Sequence, residues 1–192
     1  MENNELLNKS YIKNNLIDND ILLRKLCNTE EDYKLLEKWY KEQEVYYHFE
    51  QRMLNYDEIV NKYYPRTLNN AKVPVYIIEY NHQPIGIIQY QIINDENKRL
   101  YNLEDSKVYE MDIFIGELNL HNKGIGTRSV KLMSYYLFKD ENADLVVMCP
   151  LKDNINGIRC YEKAGFKVSR EFITEDTIGN TQEYVLMELK KN

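Results

Sequence analysis

The stretch "NLHNKGIGTRSVKLM" (residues 119–133) joins the end of a strand to the start of a helix through two glycines spaced two apart. Glycines at such a junction free backbone N–H groups to hold a phosphate at a helix N-terminus, where the helix dipole also favours negative charge. Two common phosphate loops do not fit. A Walker loop needs Gly-x-x-x-x-Gly-Lys-Ser/Thr, whereas Lys123 precedes Gly124 and Thr127 directly follows Gly126. The dinucleotide fingerprint needs a third glycine where Ser129 stands, and an early βαβ unit where this chain has hairpin-like strands. Taken alone, the two glycines read equally well as a tight turn.

The flanking sequence builds outward from that loop. "KVYEMDIFIG" (107–116) reads as a strand with Val108, Glu110, Asp112 and Phe114 on one face and Tyr109, Met111, Ile113 and Ile115 on the other. That pattern predicts one packed face and one wet face carrying two carboxylates. Asp is depleted in strands, so Asp112, just before the glycine loop, is a functional candidate; the competing reading is an ordinary solvated charge. After the loop a helix runs to Lys139 with Val130, Met133 and Leu137 on one stripe. "ADLVVMCP" (143–150) is an unbroken apolar run, expected in the middle of a sheet covered on both faces. "NINGIRCYEKAG" (154–165) is a helix stopped at Gly165, and strands over 166–173 and 182–190 close the chain around a turn at 179–180.

Upstream, "ILLRKL" (21–26) reads as a strand, and Thr29 caps a helix that pairs Leu35 with Trp39 and Leu36 with Tyr40. A second helix is expected over 56–63, ending near Pro65. "VPVYIIEYNHQPIGIIQYQII" (73–93) is two β-branched runs around a turn at 81–84. Residues 94–107 have no period and much charge and are expected as an exposed loop. Residues 1–19 are polar and rich in Asn, an extension holding at most a loose helix. Residues 20–192 read as one domain.

The bulk composition excludes several classes. With 192 residues, 43% of them hydrophobic, the chain can build one real core. A net charge of −6 disfavours nucleic acid and anionic membranes as partners and favours a cationic one. The start "MENNELLNKS" has neither a basic region nor an apolar one, and no apolar run approaches membrane-spanning length, so a cytoplasmic location is expected. Cys27, Cys149 and Cys160 show no CxxC spacing and are expected as free thiols, and with His48, His82 and His121 they make no metal-ligand pattern. No metal is expected.

The glycine loop together with "NINGIRCYEKAGF" (154–166) resembles the coenzyme A site of the GCN5-related N-acetyltransferases: Asn154, Tyr161, Lys163, Gly165 and Phe166 all stand at that family's positions. The resemblance implies an α/β fold with a central, mostly antiparallel sheet and helices on both faces. It implies acetyl-CoA as co-substrate, its pyrophosphate held by the backbone of His121, Asn122, Lys123, Gly124, Ile125, Gly126 and Thr127. Ile113, Phe114 and Ile115 on the preceding strand complete the cofactor set, with Asn154 beside the pantetheine arm and Tyr161 beside the sulfur. Two departures are visible. His121 stands where Gln or Arg is usual, and Gly157 where Ala is usual, a cost of about 1 kcal/mol in helix propensity.

Within that superfamily, "YIIEYNHQPIGIIQY", "YEMDIFIGE" and "NKGIGTR" are similar to the aminoglycoside 6′-N-acetyltransferases, above all the acetyltransferase half of the bifunctional Gram-positive resistance enzyme. The similarity implies a cationic antibiotic as acceptor, met by Phe49, Glu110 and Asp112; the loop carboxylates Asp95, Glu96, Glu104 and Asp105, nearby in sequence, agree with a cationic acceptor and read equally well as ordinary solvated charges. It also implies Asp112 as the group that positions the amine and accepts its proton. The oxyanion would be met by strand N–H groups near Ile113 and Phe114, at a bulge, and Tyr161 would protonate the leaving thiolate. Where the family often has Asp-Pro, this chain has Cys149-Pro150, so a ring amine loses one partner. Two alternatives stay open: another amine as acceptor (a polyamine or a protein N-terminus), or a CoA-binding module without turnover. A monomer or a homodimer is compatible with the sequence.

Overall fold

The structure is a computed structural model describing residues 9–12, 15–176 and 178–191. Among them, nine strands form one sheet in the order β1-β2-β3-β4-β5-β6-β7-β9-β8. The strands are β1 (Lys9–Ile12), β2 (Asn15–Asp18), β3 (Ile21–Lys25), β4 (Val75–Tyr80), β5 (Gln83–Ile92), β6 (Val108–Ile115), β7 (Leu145–Met148), β8 (Lys167–Glu175) and β9 (Thr181–Lys190). Every neighbouring pair is antiparallel except β6 and β7, which run parallel.

Helices cover both faces, and the alternation along the strands assigns each residue its side. On one face α1 (Glu30–Trp39), α2 (Gln43–Phe49) and α3 (Tyr56–Tyr63) pack over Val75, Ile77, Ile87 and Phe114. On the other, α5 (Ile125–Lys139) and α6 (Ile155–Ala164) pack over Tyr76, Ile78, Ile88, Tyr109 and Met111. Val130, Met133 and Leu137 are all fully buried, as their stripe predicts, and β7 is buried along its length. The expected mixed α/β architecture is therefore present. The strand face of Glu110 and Asp112 is not wet, however. Phe114 is packed beneath α1 and α2, and Val108 lies in a third cluster with Tyr101, Ile93 and Leu186.

Three local expectations are corrected. Residues 9–12 and 15–18 are not an extension outside the sheet but strands β1 and β2, anchored by buried Leu16; residues 1–8 lie outside the described residues. The charged 94–107 stretch contains a helix, α4 (Asp95–Tyr101), because Asn94 caps it through the Asn97 N–H and Tyr101 anchors it in the core. The hairpin turn is only two residues, Asn81 and His82, both at positive φ (49° and 65°), and Pro84 lies inside β5. Pro84 is tolerated because the register shifts beside it, between Ile78 and Glu79.

That shift leaves Ile85 unmatched, and its carbonyl accepts from the Gly116 and Glu117 N–H groups at 2.7 and 3.1 Å. The end of β6 is thereby fastened to β5 and also to α1, whose Trp39 Nε1–H donates to Glu117 Oε1 at 2.9 Å. A Cβ on Gly116 would lie 2.1 Å from Cγ of the fully buried Trp39. Gly116→Ala should therefore lower stability by about 2–3 kcal/mol and Tm by roughly 5–10 °C in a calorimetric scan. A wild-type Tm would show that Trp39 does not bear on this site.

Candidate functional site

The cleft originates where the one parallel pair parts. Pairing between β6 and β7 stops at Glu110 opposite Val147, while β6 continues five residues further to Ile115, still in register with β5. The Ile93 N–H donates to the Val108 carbonyl at 3.0 Å. The antiparallel alternation then turns the backbone groups of Glu110, Asp112 and Phe114 toward β5 and those of Ile113 and Ile115 toward the gap. The β5–β6 ladder shows no register shift, so the bulge expected near Ile113 and Phe114 is absent. A straight strand whose partner has ended exposes the N–H of Ile113 directly, whereas that of Phe114 is committed to β5.

One end of the gap has a chemistry that suits an anion. Gly124 takes a left-handed conformation (φ 79°) to open α5, and no acidic residue or side-chain cap occupies the first turn. The N–H groups of Ile125, Gly126 and Thr127 thus have no intrahelical acceptor. His121 closes the loop by donating from Nε2 to the Ile115 carbonyl at 2.7 Å. Gly126 lies where α5 meets α6, since a Cβ there would be 3.3 Å from Cys160 Sγ. Thr127 braces the same contact with its hydroxyl, donating to the Cys160 carbonyl at 3.2 Å. Lys123, Arg159 and Lys163 line this end, so its donors and charges suit a phosphate group.

α6 contributes the next two predicted residues. Asn154 caps the helix by accepting the Gly157 N–H at 2.9 Å, and its side chain folds over that glycine. A Cβ on residue 157 would come within 2.7 Å of the Asn154 amide, so an alanine there would require that side chain to shift. Tyr161 is buried between the core and the cleft; among the described residues none hydrogen-bonds its hydroxyl. Burial pushes its phenol well above the ordinary tyrosine range, so it stays protonated. Cys160 beside it is also shifted up by burial and is a packing thiol.

The other end carries Asp112 and aromatic walls. Residues 111–115, 120–127 and 148–150 line a single cleft of about 350 Å³, together with Phe49, Asn154 and Tyr161. The structure therefore brings together all the residues expected at the cofactor and acceptor sites except Glu110. Phe49 packs edge-on against Phe114 at 4.9 Å between ring centres. Asp112 accepts from Gln89 Nε2 at 3.0 Å, and desolvation pushes its carboxyl above the ordinary range. Glu110 lies behind the cleft instead, 8% exposed, accepting from Gln91 Nε2 at 2.9 Å and the Tyr101 hydroxyl at 3.2 Å. Burial, and then the neighbouring Asp112, raise its pKa.

Of the α2 wall, sequence reading singled out only Phe49. Glu44, Val45 and His48 line the cleft, and Asp153 beyond β7 accepts from the Tyr47 hydroxyl at 2.9 Å, tying α2 to the mouth. It also missed Arg66 and Gln89; the buried Gln in a strand opposite Asp112 was the available signal. Arg159 and Lys163, one turn apart on α6, were legible as a pair of cations at i, i+4 spacing. Among the described residues no helix is long and apolar enough to cross a membrane, and no cluster suited to a metal is present.

Residues 28–174 match the family model described as acetyltransferase (GNAT) domain. An aminoglycoside N(6′)-acetyltransferase type 1 of Klebsiella pneumoniae is 28% identical over 151 residues, 77% of this chain and 75% of that protein. Among solved structures, an aminoglycoside acetyltransferase in complex with coenzyme A and kanamycin superposes with a TM-score of 0.71 at 24% identity, covering 88% of this chain and 95% of that one. A spermidine N-acetyltransferase from Vibrio cholerae, in complex with CoA and spermine, gives 0.71 at 18% identity, covering 90% and 96%. The structural likenesses establish the fold.

The buried Glu110 carries a pH signature. Its carboxyl titrates higher in the fold than in the unfolded chain, so ionising it costs folding free energy. That cost is absent below the unfolded value near 4.5 and grows as pH rises through the folded one. Glu110→Gln should raise Tm by about 2–4 °C at pH 8, with the gain vanishing near pH 4 in melts followed by circular dichroism. An equal change at both pH values would show that Glu110 carries no ionisation penalty.

Proposed function

The chain belongs to the acetyltransferase (GNAT) domain family, and we propose that it transfers an acetyl group from acetyl-CoA to the 6′-amine of an aminoglycoside. The observation that carries this reading is the two-ended cleft. A phosphate-suited helix terminus with Lys123, Arg159 and Lys163 lies at one end, and Asp112, Glu44 and aromatic rings at the other. Such a cleft suits an anionic donor and a cationic acceptor held end to end. The aminoglycoside acetyltransferase from Klebsiella pneumoniae supports the acceptor class, and a kanamycin resistance protein of Rhizobium radiobacter, 33% identical over 72 residues, supports it further.

Acetyl-CoA supplies the acyl group as an activated thioester. The residues of this chain do the rest. An alkylammonium cannot attack a carbonyl, so Asp112 holds the amine and takes its proton. Its raised pKa makes it a better base than an exposed aspartate, whose value is near ~3.9. The Ile113 N–H faces the gap and meets negative charge on the acyl oxygen. Tyr161, kept as a phenol by burial, holds a proton for the departing sulfur. The walls of Phe49 and Phe114 keep water from the thioester.

The decisive experiment is release of CoA thiol from acetyl-CoA with kanamycin, spermidine or a peptide bearing a free N-terminus as acceptor. Kanamycin should be turned over at least tenfold faster than the others. Asp112→Asn should lose about 10²–10⁴-fold in kcat while acetyl-CoA affinity changes little. NMR of the product should place the acetyl group on the 6′-nitrogen. Turnover of spermidine alone would replace the acceptor and keep the chemistry; no turnover with any amine would leave a binding module.

A further inference from the structure

Asp112 does not stand alone in its wall. Gln89 on β5 is its direct partner across the ladder and is among the few buried polar side chains, 7% exposed. Its Oε1 accepts from Arg66 Nη1 at 2.6 Å while its Nε2 donates to Asp112 Oδ2 at 3.0 Å. The chemistry of the ends fixes that orientation. A guanidinium only donates and an ionised carboxylate only accepts, so the amide must present oxygen to Arg66 and nitrogen to Asp112. Arg66 is itself held by stacking on Tyr63, its guanidinium carbon 5.1 Å from the ring centre. Among the described residues none donates to the other carboxylate oxygen of Asp112, and Asp112 is one of the residues lining the cleft.

We propose that Arg66 and Gln89 are positioning residues: a directed hydrogen-bond relay that pins one oxygen of Asp112 and leaves the second to the acceptor amine. The relay also settles a conflict. Burial favours the protonated carboxyl, whereas a base must be ionised, and a hydrogen bond donated to the carboxylate favours the ionised form. The neighbouring charges divide. Lys62 of α3 and Arg66 favour ionisation, and Glu50 at the end of α2 opposes it. Glu110 on the same strand, Tyr63 of α3, Cys149 at the end of β7 and Tyr161 of α6 each feel Asp112 electrostatically. Lys62 is ion-paired with Glu50, which spends much of its charge, so the relay is the direct contact that opposes desolvation.

This inference rests on Asp112 acting as the base of the proposed reaction. Its test measures kcat/KM for the amine against pH in wild type, Gln89→Met, Arg66→Met, the double variant and Arg66→Lys. Each single Met variant should move the acid limb upward by about one pH unit, since losing the donor raises the pKa of the base. The double variant should move it by clearly less than the sum of the two single shifts, because much of the Arg66 effect passes through the same amide and only its direct charge on Asp112 adds to it, and Arg66→Lys should restore part of the shift. Acetyl-CoA affinity should stay within about twofold throughout. An acid limb at the wild-type position in Gln89→Met, or additive shifts in the double variant, would overturn the relay. Titration of the Asp112 carboxyl carbon by NMR, assigned by its absence in Asp112→Asn, reads the same shift without turnover. With no amine acetylated, the proposed function fails while the carboxyl titration still decides the relay.

Discussion

The structure depends on a single topological exception, one parallel pair in an otherwise antiparallel sheet. An antiparallel neighbour reached by a tight hairpin would have stayed zipped to β6 along its length. A parallel neighbour must return by a crossover, here the loop and helix between β6 and β7, and it can leave early because nothing fastens its far end to β6. The same crossover places the α5 N-terminus at the mouth of the gap. Opening the sheet and supplying the anion-binding end are thus one event in the chain. The other side of β6 must then be held firmly, and it is: in register with β5, capped by the Ile85 carbonyl, and wedged by Gly116 against Trp39.

The charges follow the same division. With a net charge of −6 the chain is acidic as a whole, yet Lys123, Arg159 and Lys163 gather at one end of the cleft. At the other end the carboxylates are layered by depth. Glu44 is exposed on α2, Asp112 lies in the wall, and Glu110 sits behind it beneath Gln91 and Tyr101. Depth sets what each can do. An exposed carboxylate attracts a cation through screened water, a partly desolvated wall carboxylate holds a proton more tightly, and a buried one costs stability unless it is protonated or well bonded.

Much of this was legible in the residues. The alternation of 107–116 sorts the residues of β6 onto its two faces correctly, and the stripe on α5 and the cap at Gly165 lie where period and glycine chemistry put them. The errors share one cause: local composition was read without the partner that decides it. Residues 94–107 look like solvent-facing loop because their charge is local, while the burial of Tyr101 that makes a helix worthwhile is tertiary. Residues 9–12 and 15–18 are polar enough to seem an extension, but an edge hairpin needs only a few buried side chains such as Leu16. The wet face assigned to Glu110 and Asp112 failed because no periodicity in β6 announces that α1, α2 and α4 will cover it.

For the base proposed above, such a cover is useful rather than merely tolerated. An aspartate left in water would be ionised at neutral pH and too weak a base to draw a proton from an ammonium; fully buried without donors it would be protonated and unable to draw one at all. Packing helices over the strand raises its proton affinity, and a donor from the neighbouring strand keeps that rise within a working range. Gln is suited to this because it can accept from Arg66 and donate to Asp112 in one side chain. A serine could not span the two, and a lysine would add a full charge that competes with the acceptor's own. The cross-strand register sets the two side by side: Gln89 and Asp112 are paired residues of a ladder that holds β6 straight where β7 leaves it.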